Sequence, residues 1–403
     1  MAERRNLILL TIDAWRPDFV DAFEGVPLTP ALDAWRSRTV RFAEAFANAP
    51  WTSPALLSVF SGLPAHNHGV HHEWSTPRRG GPALAVNLAA AGWHVPNLCY
   101  LNRLTNYDNL GYPRQTAPMP PLGPEDPLLL AAIAATPEPF FLWFHYKFVH
   151  LPYHAAAPYR QRMGLVNIPA RLQESVGSGF VVPRHQFALE ASDRDLIRRM
   201  YAASVLQMND WLAKVLQGVT DRRLEERTAI VLTSDHGEEL MEHGHVGHAS
   251  TAHHATLFDE VLRVPLLVLD PQVTAPRTLQ RRVQGLDLFP TLHRLAGLAA
   301  PPCAGVDLTP AIWGSDEPAM AADRPFAFHS ASMGCPTPPE RASECVEGVS
   351  DGRHKLIVER FGATRTALYD LGQDPGELRP MQAPEAEAGL LEALRQARGA
   401  ESS

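Results

Sequence analysis

Short apolar runs alternating with helical periodicities predict an α/β protein, with a mixed, largely parallel sheet flanked by helices and a small α+β subdomain at the C-terminal end. Residues 6–12, 139–145 and 228–233 are continuously apolar-leaning, as expected of strands buried on both faces. Between them lie amphipathic stretches, the longest over 193–219, where Leu196, Met200, Ala203, Leu206 and Val215 share a face. The chain has 403 residues, 45% apolar and 20% charged, enough for one large domain and a smaller unit.

With 36 basic and 44 acidic residues the net charge is −8, which argues against a general nucleic-acid binder or a ligand for anionic membranes. The first apolar run is too short for a signal peptide or a membrane span, so it is read as a buried strand of a cytoplasmic protein. Cys99, Cys303, Cys335 and Cys345 show no CxxC spacing; free thiols are expected, although Cys335 and Cys345 could pair.

In chain order, residues 6–12 end in Asp13, a carboxylate at the strand edge where open α/β sheets bind ligands, or simply a cap for the next turn. Thr29-Pro30 opens a helix over 29–40, with Leu32, Trp35 and Val40 on one face. Trp51-Thr52-Ser53-Pro54 leads into a second helix that Gly62 closes, which places the Thr52 hydroxyl beside free N–H groups and the positive end of the helix dipole. Thr52 or Ser53 also suits an ordinary N-cap. A helix over 82–91, a strand over 93–100, a long Pro- and Gly-rich loop over 102–127 and a helix over 128–135 follow. The strand 139–145 empties into a segment holding Lys147, His150 and His154. Residues 155–192 read as an irregular excursion that, with 102–127, would shape the substrate pocket. The strand 228–233 ends at Ser234-Asp235-His236, and 263–269 is a further buried strand. A boundary in the Pro- and Ala-rich stretch 298–325 divides a catalytic unit, 1–315, from a subdomain, 316–403, with short antiparallel strands near 326–329, 354–358 and 367–370 and a helix from about Pro384.

Asp13, Asp235 and His236 at two strand ends make a sound set for a divalent cation, and Thr52 would add a hydroxyl that the metal could activate as a nucleophile. Around them run Ile12-Asp13-Ala14-Trp15-Arg16, Thr29-Pro30, Thr52-Ser53-Pro54, Ser61-Gly62-Leu63-Pro64, His68-Gly69-Val70, His150-Leu151-Pro152-Tyr153, Ser234-Asp235-His236-Gly237-Glu238 and Arg263-Val264-Pro265-Leu266. Together with Asp287, Lys355-Leu356-Ile357, Leu368-Tyr369-Asp370 and Asp374-Pro375, this ordered set resembles the sulfatases of the alkaline phosphatase superfamily nearly end to end. The resemblance implies an alkaline-phosphatase-like fold, a metal held by Asp13, Thr52, Asp235 and His236, and a nucleophile at position 52. It further implies that His150 contacts the substrate oxyanion or the leaving group. His248 is similar to a histidine past the Asp-His pair in related phosphotransferases.

The departures shape the expected chemistry. Where sulfatases carry Cys-x-Pro-x-Arg, with a Cys or Ser converted to formylglycine, this chain reads Thr52-Ser53-Pro54-Ala55-Leu56. Threonine cannot give that aldehyde, so direct attack by Thr52 and a phosphothreonine intermediate are expected, similar to the nucleotide pyrophosphatase and lipid phosphoethanolamine transferase branches. Ala14 replaces a further acidic ligand, and Tyr146 stands where a two-metal Asp-x-x-x-His motif would begin, so one divalent ion, Mn, Zn or Ca, is expected rather than two. A second site would need His150 and His248 with His245 or His254. Arg16, Lys147 and His245 are candidate oxyanion contacts. The expected substrate is a small phosphodiester or phosphonate monoester; the alternatives are sulfuric ester hydrolysis without formylglycine, transfer to an alcohol, and a metal-binding pseudoenzyme. A homo-oligomer is left open.

Overall fold

The computed structural model describes residues 5–71, 75, 77, 83–98, 110, 112, 123–176, 189–248, 255–314, 324–330 and 344–399. Among them six strands form the main sheet: β1 (Asn6–Ile12), β2 (Thr39–Phe46), β3 (Phe141–Tyr146), β4 (Thr228–Ser234), β5 (Arg263–Leu269) and β6 (Arg277–Gln284), in the spatial order β6-β2-β5-β4-β1-β3. β1 pairs in parallel with β3 and β4, and β2 in parallel with β6, while β5 runs antiparallel to β2 and β4. The sheet is therefore largely parallel with one reversed strand, as expected.

Both faces of β1 are buried because its alternating side chains enter two cores. Ile8, Leu10 and Ile12 pack with the long helix Arg194–Asp221, which contributes Met200, Leu206, Trp211 and Val215. Leu7 and Leu9 pack with α1 (Thr52–Ser61), through Leu56, Leu57 and Phe60, and with the helix Leu288–Leu295. Gly62 ends α1 at φ 66°, a left-handed conformation that glycine adopts without a Cβ penalty.

Several elements depart from expectation for identifiable reasons. The helix expected over 29–40 is a 3-10 helix, Pro30–Arg38, and Val40 belongs to β2. In β2, Val40 and Phe42 are buried while Thr39 and Arg41 are half-buried, a two-residue alternation that outweighs the helical spacing of Leu32 and Trp35. No strand forms over 93–98; His94 makes one bridge to Phe140, and the Trp93 indole donates to the carbonyl of Arg5. The excursion 155–192 contains two short helices, Ala157–Arg162 and Ala170–Ser175. β6, a charged edge strand, lacks the apolar run by which the other strands announce themselves. Most of 102–127 and the expected boundary at 315/316 lie outside the described residues.

A four-stranded antiparallel sheet follows, in the order β7 (Phe326–Ser330), β8 (Val346–Ser350), β9 (His354–Glu359) and β10 (Arg365–Asp370). The helix Pro384–Gly399 covers it with Leu390 and Leu394 against Val349, Leu356 and Leu368. β8 was not anticipated, because Glu347 and Gly348 interrupt its apolar pattern. Cys303 and Cys345 are free thiols; Cys99 and Cys335 lie outside the described residues. No helix among the described residues is long and apolar enough to cross a membrane.

Candidate active site

Three strands bring the candidate ligands to one edge of the sheet. Ile12 lies opposite Tyr146 of β3 and Ser234 of β4, so Asp13 and Asp235 leave their strands at the same level, with His145 two residues below, opposite Thr11. Strand alternation directs all three to the α1 side: Leu7 and Leu9, Phe141 and Trp143, and Ala229 and Val231 line that core, and Asp13, His145 and Asp235 continue the same parity. All three are buried, with ligand atoms within 4.8 Å of one another.

His145 Nε2 lies 3.3 Å from Asp13 Oδ2 and 3.8 Å from Asp235 Oδ2. His236 Nε2 lies 3.5 Å from Asp13 Oδ1 and 3.3 Å from Asp235 Oδ2. His236 Nδ1 donates to the carbonyl of Gly237 at 2.7 Å, so in the neutral ring Nε2 turns a lone pair toward the carboxylates. Asp13 Oδ1 and Asp235 Oδ2 are buried without a hydrogen-bond donor. Carboxylate oxygens facing an imidazole lone pair in a buried site fit a divalent cation, and the mixed O/N donor set suits manganese or zinc.

Thr52 opens α1 and is half-buried, while the rest of that helix is buried. The capping position belongs to Trp51, whose side chain makes no cap bond, so Thr52 is not an ordinary N-cap. Its Oγ1 instead lies 3.3 Å from His236 Nε2. The indole of Trp51 donates to Ser330 Oγ at 3.2 Å and seats the start of α1 on β7.

His150 and His248 are buried beside this group, with ring centroids 4.7 Å apart, and the ring of His248 is 4.1 Å from that of His236. His248 Nδ1 is 2.7 Å from Glu238 Oε1. Burial pushes the His248 imidazole down to about 3. Burial pushes the Glu238 carboxyl up to about 7. Burial alone would also raise Asp13, but the charges of His150, His145 and His236 and its contact with His145 hold it well below the usual carboxylate range.

The other expected contacts sit differently. The Arg16 guanidinium donates to Asp18, Glu242 and the carbonyl of Glu238, so it serves a buried ion-pair network rather than an oxyanion contact. Lys147 is half-buried in the turn after β3, where its carbonyl accepts from the His150 N–H. His245 is half-buried in the segment leading to His248, and its carbonyl accepts from the Met241 N–H. His254 lies outside the described residues.

Two site residues escaped the sequence. His145 was read as the end of a strand, although the alternation Phe141, Trp143, His145 sets it on the face that receives Asp13. Its ring is seated by Thr11, whose Oγ1 lies 2.8 Å from Nδ1 and accepts from the Trp143 indole. Glu238, the partner of His248, appeared only as a motif letter. Tyr201 donates to the carbonyl of Ala14 at 2.7 Å and accepts from the Arg16 N–H, which secures a turn where Ala14 takes φ 59°.

The carboxyl edge of the sheet thus gathers two aspartates, two histidines and a hydroxyl at a helix start, a donor set that a divalent cation fits. The Sulfatase family model matches residues 5–298, and the chain belongs to the sulfatase family. A second model, N-sulphoglucosamine sulphohydrolase, C-terminal, matches residues 250–399. Arylsulfatase K of Mus musculus is 28% identical over 209 residues, 49% of this chain and 35% of its own length. Iduronate 2-sulfatase of Mus musculus is 23% identical over 389 residues, 74% of this chain and 69% of its own length. The chain thus spans about a third of the first relative and about two thirds of the second. Among solved structures, the phosphonate monoester hydrolase of Agrobacterium radiobacter superposes with a TM-score of 0.78 at 20% identity, over 99% of this chain and 96% of its own. That of Silicibacter pomeroyi gives 0.73 at 20% identity, over 98% and 94%. At these identities the likeness concerns the fold.

Proposed function

We propose that this chain is a metal-dependent hydrolase of small phosphorus oxyanion esters, phosphodiesters or phosphonate monoesters above all, with Thr52 as nucleophile. The observation that carries the reading is the Thr52 hydroxyl at the first turn of α1, 3.3 Å from the imidazole that also faces Asp13 and Asp235. One divalent ion, Mn, Zn or Ca, held by Asp13, Thr52, Asp235 and His236 with His145 alongside, would lower the pKa of the Thr52 hydroxyl and neutralise charge on the ester.

Thr52 Oγ1 releases its proton to solvent and forms a bond to phosphorus as the ester P–O bond to the leaving group breaks. His248 or His150 supplies a proton to the departing oxygen. Glu238, with a carboxyl that titrates near neutrality, can return a proton to His248 Nδ1 across their 2.7 Å contact. Water then cleaves the Oγ–P bond and restores the hydroxyl. The first-turn N–H groups of α1 offer donors to the phosphoryl oxygens.

A threonine that cannot become formylglycine supports this choice of electrophile; the fold is shared with phosphonate monoester hydrolases and sulfatases alike and is compatible with either. The sulfatase relatives favour a second reading, hydrolysis of sulfuric esters by the same threonine. A chromogenic panel of phosphodiesters, phosphonate monoesters, phosphomonoesters and sulfates, run with Mn, Zn, Ca and Mg, separates the two. Product analysis with an added alcohol distinguishes transfer from hydrolysis. Thr52→Ala should remove turnover while keeping the thermal midpoint; unchanged turnover would overturn the mechanism.

A further inference from the structure

A second group of metal-type ligands lies outside the sheet edge, where α2 (Ala65–His68) meets the C-terminal sheet. We propose that His66 of α2, His329 of β7 and Glu347 of β8 form a structural site for a zinc-class transition ion that ties the two units together.

His329 and Glu347 are directly opposed in the β7–β8 ladder, which sets their side chains on one face of the sheet. His66 comes from a different part of the chain and is 5% exposed; Glu347 is 3% exposed. Glu347 Oε1 lies 3.7 Å from His66 Nε2 and 3.8 Å from His329 Nδ1. These separations exceed a hydrogen bond. They approach the spacing of two ligands about one zinc ion, roughly 3.4–3.6 Å for bond lengths near 2.1 Å. Two imidazoles and a carboxylate are a donor set that zinc accepts, with a coordination position to spare.

The carboxylate is also held in place. Arg360 and Arg398 both bond Glu347 Oε2, and Arg398 Nε donates to Oε1 at 2.6 Å, which leaves Oε1 a lone pair for the ion. Such outer partners orient a metal ligand. Ser330, the next residue after His329, receives the Trp51 indole, so the tie falls one residue from the seat of α1.

The test is metal counting on the full chain, stripped with chelator, reloaded with zinc and freed of excess by gel filtration. Wild type should retain about two equivalents, and Asp13→Asn and His329→Gln about one each. Zinc should raise the thermal midpoint of Asp13→Asn but not that of the double variant. His329→Cys, which keeps a ligand, should recover the second equivalent and so separates loss of the site from misfolding. If wild type and Asp13→Asn both bind about one equivalent and His329→Gln none, the proposal stands and the reading of the Asp13 site falls. Full retention by His329→Gln would overturn the proposal. So would stabilisation of Asp13→Asn by inorganic sulfate with no zinc taken up, which would make the arginines an anion cradle.

Discussion

His145 occupies the centre of the candidate site because a strand delivers every second residue to one face, and its neighbours on that face, Phe141 and Trp143, are core residues against α1. A residue brought to a candidate site by parity has no flanking motif to mark it. If it supports the ion, His145→Ala should weaken metal affinity about 10–100-fold, measured by competition with a chelating dye, while Thr11→Val should have a smaller effect in the same direction. Unchanged affinity in His145→Ala would remove it from the site. Glu238 gives a pH signature of its own. Burial raises its carboxyl from 4.5 to about 7 in the folded chain, so between those values the native state binds a proton that the unfolded chain releases. Its contribution to stability is present below the lower value and lost as pH rises through the higher. In the chelator-treated protein, the midpoint of wild type should therefore fall relative to Glu238→Gln between about pH 5 and 8; parallel profiles would refute this.

At the scale of elements, a single glycine governs how the turn after β4, which carries Asp235 and His236, packs. A Cβ at Gly237 would sit 2.1 Å from the backbone oxygen of Glu260, and the Gly237 and Glu238 N–H groups donate to Val261 and Glu260. The obstacle is backbone rather than a side-chain tip, so it cannot swing aside. Gly237→Ala is expected to cost about 2 kcal/mol or more in denaturant unfolding and to lower metal retention with it, since Asp235 and His236 precede it directly. The elements most legible in the sequence were those with continuous apolar runs or strong helical periodicity: β1, β4, β5, α1 and the helix Arg194–Asp221. β2 and β6 were missed because amphipathic and edge strands carry alternating charge, and Thr39–Phe46 continued a plausible helix.

At the scale of the whole molecule, the two sheets are joined through a buried ionic cluster. Lys355 of β9 lies 2.8 Å from Asp259, the first residue of the short helix Asp259–Leu262 that leads into β5, and 2.9 Å from Glu377. The lysine is fully buried, and burial drives the Glu377 carboxyl up to about 7 despite the lysine's opposing charge. Lys355→Met would leave two carboxylates facing each other without a cation. It should destabilise the chain by about 3–5 kcal/mol in denaturant unfolding, and the loss should shrink in Lys355→Met/Glu377→Gln. An unchanged midpoint would show that the cluster contributes nothing to the joint.

The sequence by itself determined the α/β class, the strand tips that carry Asp13 and Asp235-His236, and the hydroxyl at the start of α1, because short-range patterns encode where strands end and helices begin. It named the family through ordered motifs, and the Sulfatase family model agrees over residues 5–298. Tertiary structure decided which of these residues meet. The register of β1 between β3 and β4 levels the two aspartates and brings in His145. Packing turned Arg16 into an ion-pair residue and gave His248 its glutamate. The β7–β8 ladder set His329 beside Glu347 within reach of His66. The physical reason is that ligation and ion pairing depend on separations of a few ångströms between residues far apart in the chain, and strand register and burial set those separations.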